Sequence, residues 1–169
     1  MEDHRQAQLD ALYFAMCEHD RGNAHRIQHF TKVHGFAARI GRAEGLDEET
    51  RFVLEAAAIV HDIGIRPAEE KYGRHDGPLQ EREGAPLAYA LLKAHGFTEA
   101  QAARVSALVG RHHTYTNIDG PDCQILIEAD FLVNLHEHGD NEEAVRAARQ
   151  NIFRTPTGIG LLKTMFGFA

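Results

Sequence analysis

Apolar residues recur along the chain with the three- and four-residue spacing of amphipathic helices, and the strict alternation that is typical of strands is absent. The pattern predicts helices over residues 5–19, 24–44, 47–64, 79–95, 98–113 and 122–137, with two more that begin after Asn141 and after Thr155-Pro156. We therefore expect residues 1–169 to form a single all-α domain, a bundle of about six to eight helices.

Local signals place several of the helix ends. Asp47 is a suitable N-cap, Thr98 and Gln101 have the spacing of a capping box, and Pro156 suits a first helical turn. The polar, Gly- and Pro-rich segment 65–78, IRPAEEKYGRHDGP, is predicted to be a loop that could close over a site as a lid.

Composition and charge restrict the partners. The chain has 169 residues, of which 43% are hydrophobic and 25% charged, and its formal net charge is −7. This acidic balance, without a long basic run, argues against a nucleic-acid polymer as the partner, although a small phosphorylated molecule remains compatible. No apolar run reaches ~18 residues, so no membrane span is expected. The two cysteines lack metal or redox spacing, which favours a reducing, cytoplasmic location.

Four polar side chains fall where the pattern predicts the interior. His29 lies on the apolar face of the second helix, and the pair His61-Asp62 ends the apolar run AAAIV. Asp130 belongs to the sixth predicted helix, which is apolar around its whole circumference and should be buried.

Each of these residues alone has an ordinary explanation: a core histidine bonded to a carbonyl, a helix end, or a salt bridge. Together they are two imidazoles and two carboxylates on three core helices, each needing a partner. One divalent cation would satisfy all four, and this mixture of ligands suits Mn, Fe, Co, Ni, Zn or Mg.

These residues stand in a recognisable order and context. His29 begins H-x-x-K-V, His61-Asp62 is followed by Ile-Gly, and Asp130 belongs to an Ala-Asp pair. Over residues 24–137 the sequence resembles the HD-domain superfamily of metal-dependent phosphohydrolases, which is defined by such a histidine, a His-Asp doublet and a distant aspartate on a helical bundle.

The resemblance implies that His29, His61, Asp62 and Asp130 bind a divalent metal, and that Asp62 also orients or deprotonates the attacking water. It implies hydrolysis of a phosphomonoester or phosphodiester of a nucleotide or another small phosphorylated metabolite. It leaves the substrate and the metal open.

Further residues carry looser expectations. Lys32, His112 and His113 are candidate catalytic groups that would neutralise phosphoryl charge, and His112 and His113 could instead serve a second metal. His25 could contact the substrate. The remaining candidate cations all lie on segment 65–78: Arg66, Lys71 and Arg74.

Binuclear relatives often have another histidine near the start of the fourth predicted helix. This chain has Gln80, Glu81 and Glu83 there. A second metal therefore remains open: a glutamate could substitute as a ligand, but we expect these glutamates to be exposed at the surface.

Two rival functions also remain: a di-iron oxygenase of HD type, and a nucleotide-binding regulatory module without turnover. The C-terminal helices, residues 141–169, are expected to pack on the core, and their apolar character leaves a homodimer open.

Overall fold

The computed structural model of the protein describes residues 2–167, with side chains from residue 4 onward. Within this range the chain is all-helical and without strands. Its nine helices are α1 Glu2–His19, α2 Ala24–Ala43, α3 Glu48–Val60, α4 Ile65–Tyr72, α5 Gly77–Ala94, α6 Glu99–Val109, α7 Pro121–Glu137, α8 Glu142–Asn151 and α9 Pro156–Phe166. The prediction of an all-α bundle is thus confirmed.

The predicted loop over residues 65–78 is wrong in its first half, which forms α4. Pro67 lies in the first turn of this helix, where the missing N–H has no helical acceptor to lose. Ile65 and Ala68 bury one side of the helix, and Gly73, with a φ of 66°, ends it in the left-handed conformation. Proline and glycine therefore bound a short helix here.

Two predicted helices end earlier than expected. Helix α3 begins at its predicted cap Asp47 but ends at Val60 instead of residue 64. Helix α6 has the predicted capping box of Thr98 and Gln101 and ends at Val109 instead of residue 113. As a result, the pair His61-Asp62 and the pair His112-His113 each lie in a turn that directly follows a helix.

Helix α7 is the centre of the bundle. It packs against α2 and α3, while α6 covers α3 and pairs with α5. Its side chains are buried around most of the circumference, as the pattern predicts for an element surrounded by other helices. Asp130 is therefore placed deep in the bundle, between the helices that carry the other candidate residues.

Helix α5 comes very close to the turn after α3 because two glycines meet there. A Cβ atom at Gly64 would lie 2.2 Å from the carbonyl oxygen of Gln80 and 2.7 Å from the nitrogen of Gly84. Neither backbone could tolerate such a contact. The Ile-Gly that follows the His-Asp doublet thus allows α5 to form one wall of the site.

Helices α8 and α9 pack on α7, and α9 also contacts α2. The buried Glu128 of α7 accepts hydrogen bonds from the backbone N–H groups of Arg154 and Thr155, at 2.7 and 2.9 Å. The predicted C-terminal region 141–169 is described up to residue 167, and residues 1, 168 and 169 of the predicted domain lie outside the described residues. In the part described, every helix is too short or too polar to cross a membrane.

Candidate metal centre

Three segments bring four side chains to one point. His29 comes from α2, Asp130 from α7, and His61 and Asp62 from the turn after α3. The Nε2 atom of His29 lies 3.1 Å from Asp130 Oδ1, 3.2 Å from His61 Nε2 and 3.3 Å from Asp62 Oδ2. His61 Nε2 lies 3.4 Å from Asp62 Oδ2 and 3.5 Å from Asp130 Oδ1. We call this group the His29 cluster.

The hydrogen bond at Nδ1 of each imidazole fixes the tautomer and the orientation of the ring. His61 Nδ1 lies 2.8 Å from the carbonyl oxygen of Ala58, and His29 Nδ1 lies 3.0 Å from a carboxylate oxygen of Glu137. Both partners only accept, so each Nδ1 carries the proton and donates it. In the neutral rings, each Nε2 then presents a lone pair toward two carboxylates, and either a proton on Nε2 or a bound metal ion satisfies that arrangement.

The electrostatics of the cluster point the same way. Burial alone would lower the pKa of His61, but Asp62 and Asp130 raise it to about 9. Burial would raise the pKa of Asp130, yet the hydrogen bonds from His29 and His61 hold it well below its ordinary value. Without a metal, protons on the imidazoles balance the carboxylates, and a divalent ion would replace those protons.

The spacing of the donor atoms fits a metal ion. Two ligands that each lie ~2.1 Å from one ion are about 3.0 to 3.4 Å apart in octahedral or tetrahedral geometry. Five of the six donor pairs in the His29 cluster, all except Asp62 with Asp130, are 3.1 to 3.5 Å apart. The spacing of these donors therefore fits a divalent cation.

A second group, the His112 cluster, faces the other oxygen of Asp62. It consists of Asp62 Oδ1, His112 and His113, each with one ligand atom within 4.8 Å of the others. His112 is fully buried, and its Nδ1 lies 2.8 Å from the carbonyl oxygen of Val109. Its Nε2 has no hydrogen-bond partner among the described residues and lies 3.4 Å from Asp62 Oδ1. A lone pair again faces a carboxylate.

His113 differs, because both of its ring nitrogens have partners, Nδ1 lying 3.4 Å from the hydroxyl of Tyr115. Its Nε2 lies 2.9 Å from Gln80 Oε1, and the amide nitrogen of Gln80 donates to the carbonyl oxygen of His75. That second bond fixes the amide so that its oxygen accepts from His113. Burial, followed by the charge of His112, lowers the pKa of His113 to about 4, so the ring is neutral near pH 7.

The two clusters lie beside a cavity of about 600 Å³. His29, Asp62 and Asp130 reach it from the His29 cluster, and Gln80 and His113 reach it from the other side. The rest of its lining comes mainly from the start of α2, from residues 65 and 75, and from the end of α7: Asn23, His25, Arg26, Ile65, His75, Asn134, Glu137 and His138. A small polar molecule could thus reach both groups of ligands at once.

Comparison with known proteins agrees with this geometry. The model of the HD domain family matches residues 26–152, three quarters of the chain. The chain belongs to the HD domain family.

A solved structure has the same fold: a predicted HD superfamily hydrolase from an uncultured Thermotogales bacterium, with 24% sequence identity and a TM-score of 0.68. The likeness covers 94% of this chain and 84% of that one. No curated protein sequence matches the chain.

Within this HD domain, Glu137 is a site residue that sequence reasoning missed. Its position in HEHG at the end of α7 suggested only a helix terminus. Its side chain is 7% exposed and accepts from His29 Nδ1, while Lys32 Nζ lies 2.6 Å from its other oxygen. Burial would raise the pKa of Glu137, but Lys32 and His29 lower it. The usable signal was that a carboxylate is disfavoured at a helix C-terminus.

The structure places Lys32 beside Glu137, outside the cavity lining of the described residues. Its predicted role in neutralising phosphoryl charge stays a prediction. His25 does line the cavity, with Nε2 3.4 Å from Glu137.

The two glutamates that could have replaced a second-metal histidine point elsewhere. Glu81 accepts hydrogen bonds from the His113 backbone and from the Thr114 hydroxyl, and Glu83 pairs with Lys71. Gln80 is the residue of this segment that reaches the cavity. Neither glutamate is therefore placed as a ligand among the described residues.

Proposed function

We propose that the protein is a metal-dependent phosphohydrolase that cleaves a phosphomonoester or phosphodiester of a small phosphorylated metabolite, with a nucleotide as one candidate. Membership of the HD domain family supports a metal-dependent hydrolase. The proposed metal ligands are His29, His61, Asp62 and Asp130, and the proposed setting is the cytoplasm.

One observation carries this proposal. Imidazole lone pairs and carboxylates face one another at 3.1 to 3.5 Å beside a cavity. Such an arrangement requires either protons on the imidazoles or a bound metal ion, because the buried acceptors otherwise lack any donor. A bound divalent ion would polarise a phosphoryl oxygen and lower the pKa of a bound water toward neutrality.

The residues of the chain have separate parts in this proposal. Asp62 faces both clusters with its two oxygens, so it is placed to accept a proton from the attacking water. Glu137 holds the ring of His29 in the tautomer that leaves Nε2 free. His113, which is neutral near pH 7, lines the cavity with its one N–H donated to Gln80, so it would shape the site without donating to the substrate.

The test is a screen of phosphate esters and nucleotides against the metal-free protein supplied in turn with Mn, Co, Ni, Mg and Fe. We expect release of inorganic phosphate or of a phosphomonoester that depends on added metal and is abolished by a chelator. Absence of turnover with every ester and every metal would overturn the proposal.

The same screen separates the rival functions. Tight nucleotide binding without product would favour a regulatory module. Two irons per chain with a visible absorption band and oxygen consumption would favour an oxygenase. Binding of phosphate and a hydrolytic product would exclude both.

A further inference from the structure

The cavity beside the metal centre holds three carboxylates, those of Asp62, Asp130 and Glu137. A phosphate dianion that enters it needs positive charge from the protein as well as from any metal, because like charges repel strongly in a partly buried site. Among the described residues that line the cavity, Arg26 is the one lysine or arginine.

Arg26 is well placed for such a role. It lies on α2 one turn before His29, so both side chains leave the same face of the helix. Its side chain is 18% exposed, and Nη2 lies 2.5 Å from Glu69 Oε1 on α4. Nε and Nη1 make no hydrogen bond to any described residue, which leaves donors for a ligand.

Glu69 holds more than one group at this wall. The same oxygen, Oε1, lies 3.0 Å from Nδ1 of His75, another residue of the cavity lining. Helix α4 thus fixes Arg26 and His75 on one side of the cavity. A guanidinium held in this way loses less conformational freedom when it binds an anion.

The cations that the sequence suggested are engaged elsewhere. Arg66 binds Glu70 and the carbonyl oxygen of His19, and Arg74 lies 3.3 Å from Asp76. Lys71 pairs with Glu83, as described above. They all lie outside the cavity lining seen among the described residues.

We propose that Arg26, held by Glu69, is the phosphate-recognition residue of this site and donates to the non-bridging oxygens of the phosphoryl group next to the metal centre. The planar guanidinium matches two oxygens of a phosphate, which an ammonium group does not. This inference deepens the proposed function and depends on it.

The test measures binding of inorganic phosphate to the manganese-loaded protein by calorimetry, without any turnover. In Arg26→Ala we expect the affinity for phosphate to fall by about 10- to 100-fold, the scale of charged hydrogen bonds. Arg26→Lys should fall between this variant and the unchanged protein, since it keeps the charge but loses the fork. Manganese content should stay unchanged in both.

Arg74→Ala is the matched control, because Arg74 is an exposed arginine from the adjoining turn and should leave phosphate affinity unchanged. Arg26→Gln, which can still donate to Glu69, replaces Arg26→Ala if the alanine variant does not fold. Phosphate affinity within twofold of the unchanged protein in these variants would overturn the role of Arg26 alone. Failure of the unchanged, metal-loaded protein to bind phosphate would overturn this inference and the proposed function together.

Discussion

The His29 cluster and the His112 cluster are built on the same local plan. In each, a helix ends and the next histidine donates from Nδ1 to the carbonyl oxygen three residues earlier, at 2.8 Å, which turns Nε2 toward Asp62. They differ in what completes them. Asp130 and His29 complete the first, whereas in the second His113 is bonded to Gln80. This comparison predicts one tight and one weak metal site that share Asp62.

The largest effect should come from Asp62, since it is the residue that the two clusters share. Asp62→Ala should abolish metal-dependent turnover and strip the purified protein of tightly bound metal while the circular dichroism stays helical. Asp10→Ala, an exposed aspartate on α1, is the control. Full turnover in Asp62→Ala would contradict the shared role.

Separate substitution of the buried His61 and His112 should affect the two metal affinities unequally. His61→Ala should lower affinity for the first ion by more than about 100-fold, because losing an outer partner of a ligand already costs 10- to 100-fold. His112→Ala should spare that ion and lose only the second. Metal titration followed by calorimetry would show this, and equal effects of the two substitutions would refute an unequal pair.

Substitution of Glu137 tests the His29 cluster without removing one of its proposed ligands. Glu137→Ala should lower the affinity for the first ion by about 10- to 100-fold, because the ring of His29 is no longer held in one tautomer. Nitrogen NMR of His29 in the protein loaded with a diamagnetic ion such as Zn should show the Nδ1-protonated form in the unchanged protein and a mixture in the variant.

Glu137→Gln keeps an acceptor for His29 and should recover part of the affinity, and Glu143→Ala, exposed on α8, should change nothing. An unchanged NMR spectrum in Glu137→Ala would count against this positioning role.

The pH dependence should follow the proton on His61, whose pKa is raised from 6.5 to about 9. A raised pKa stabilises the metal-free fold fully below pH 6.5, and this stabilisation is lost as the pH rises through about 9. Metal has to displace that proton, so affinity should increase with pH over this range by about tenfold per unit for one proton.

Unfolding curves with and without metal, across about pH 6 to 9, would measure both trends. An affinity that does not change over that range would exclude this exchange.

The smallest effect should come from a substitution that makes the His112 cluster more like the His29 cluster. Gln80→His should raise affinity for the second ion by about tenfold, on the scale of changes around a ligand. The reason is that an imidazole there adds a ligand and releases His113 Nε2. Gln6→His, exposed on α1, controls for an added histidine elsewhere, and the same gain in that variant would remove the argument.

Much of the fold followed from local rules of the sequence. Asp47 and the Thr98–Gln101 pair cap helices where the pattern predicted, because capping depends on neighbours in the chain. Helix α4 was missed because Pro67 and the glycines after it are also typical of loops. Its helicity depends on burying Ile65 and Ala68 against the bundle, which no local pattern reports.

The candidate site likewise has residues that the sequence pattern could select and residues that it could not. His29, His61, Asp62 and Asp130 could be selected because each is a polar residue in an apolar pattern, and the structure brings all four together. Glu137 and Arg26 could not, because each lies in a polar helix end. Their importance comes from partners 108 and 43 residues away in the sequence.

The contact of Gly64 with α5 sets the width of the site without supplying any ligand. Since even one methyl group at residue 64 would overlap the backbone of Gln80 and Gly84, a heavier residue would have to push the whole of α5 outward. Every candidate ligand would still be present, but α5 and its Gln80 would lie farther from the His29 cluster. The absence of a side chain at Gly64 therefore sets the distance between α5 and the candidate metal centre.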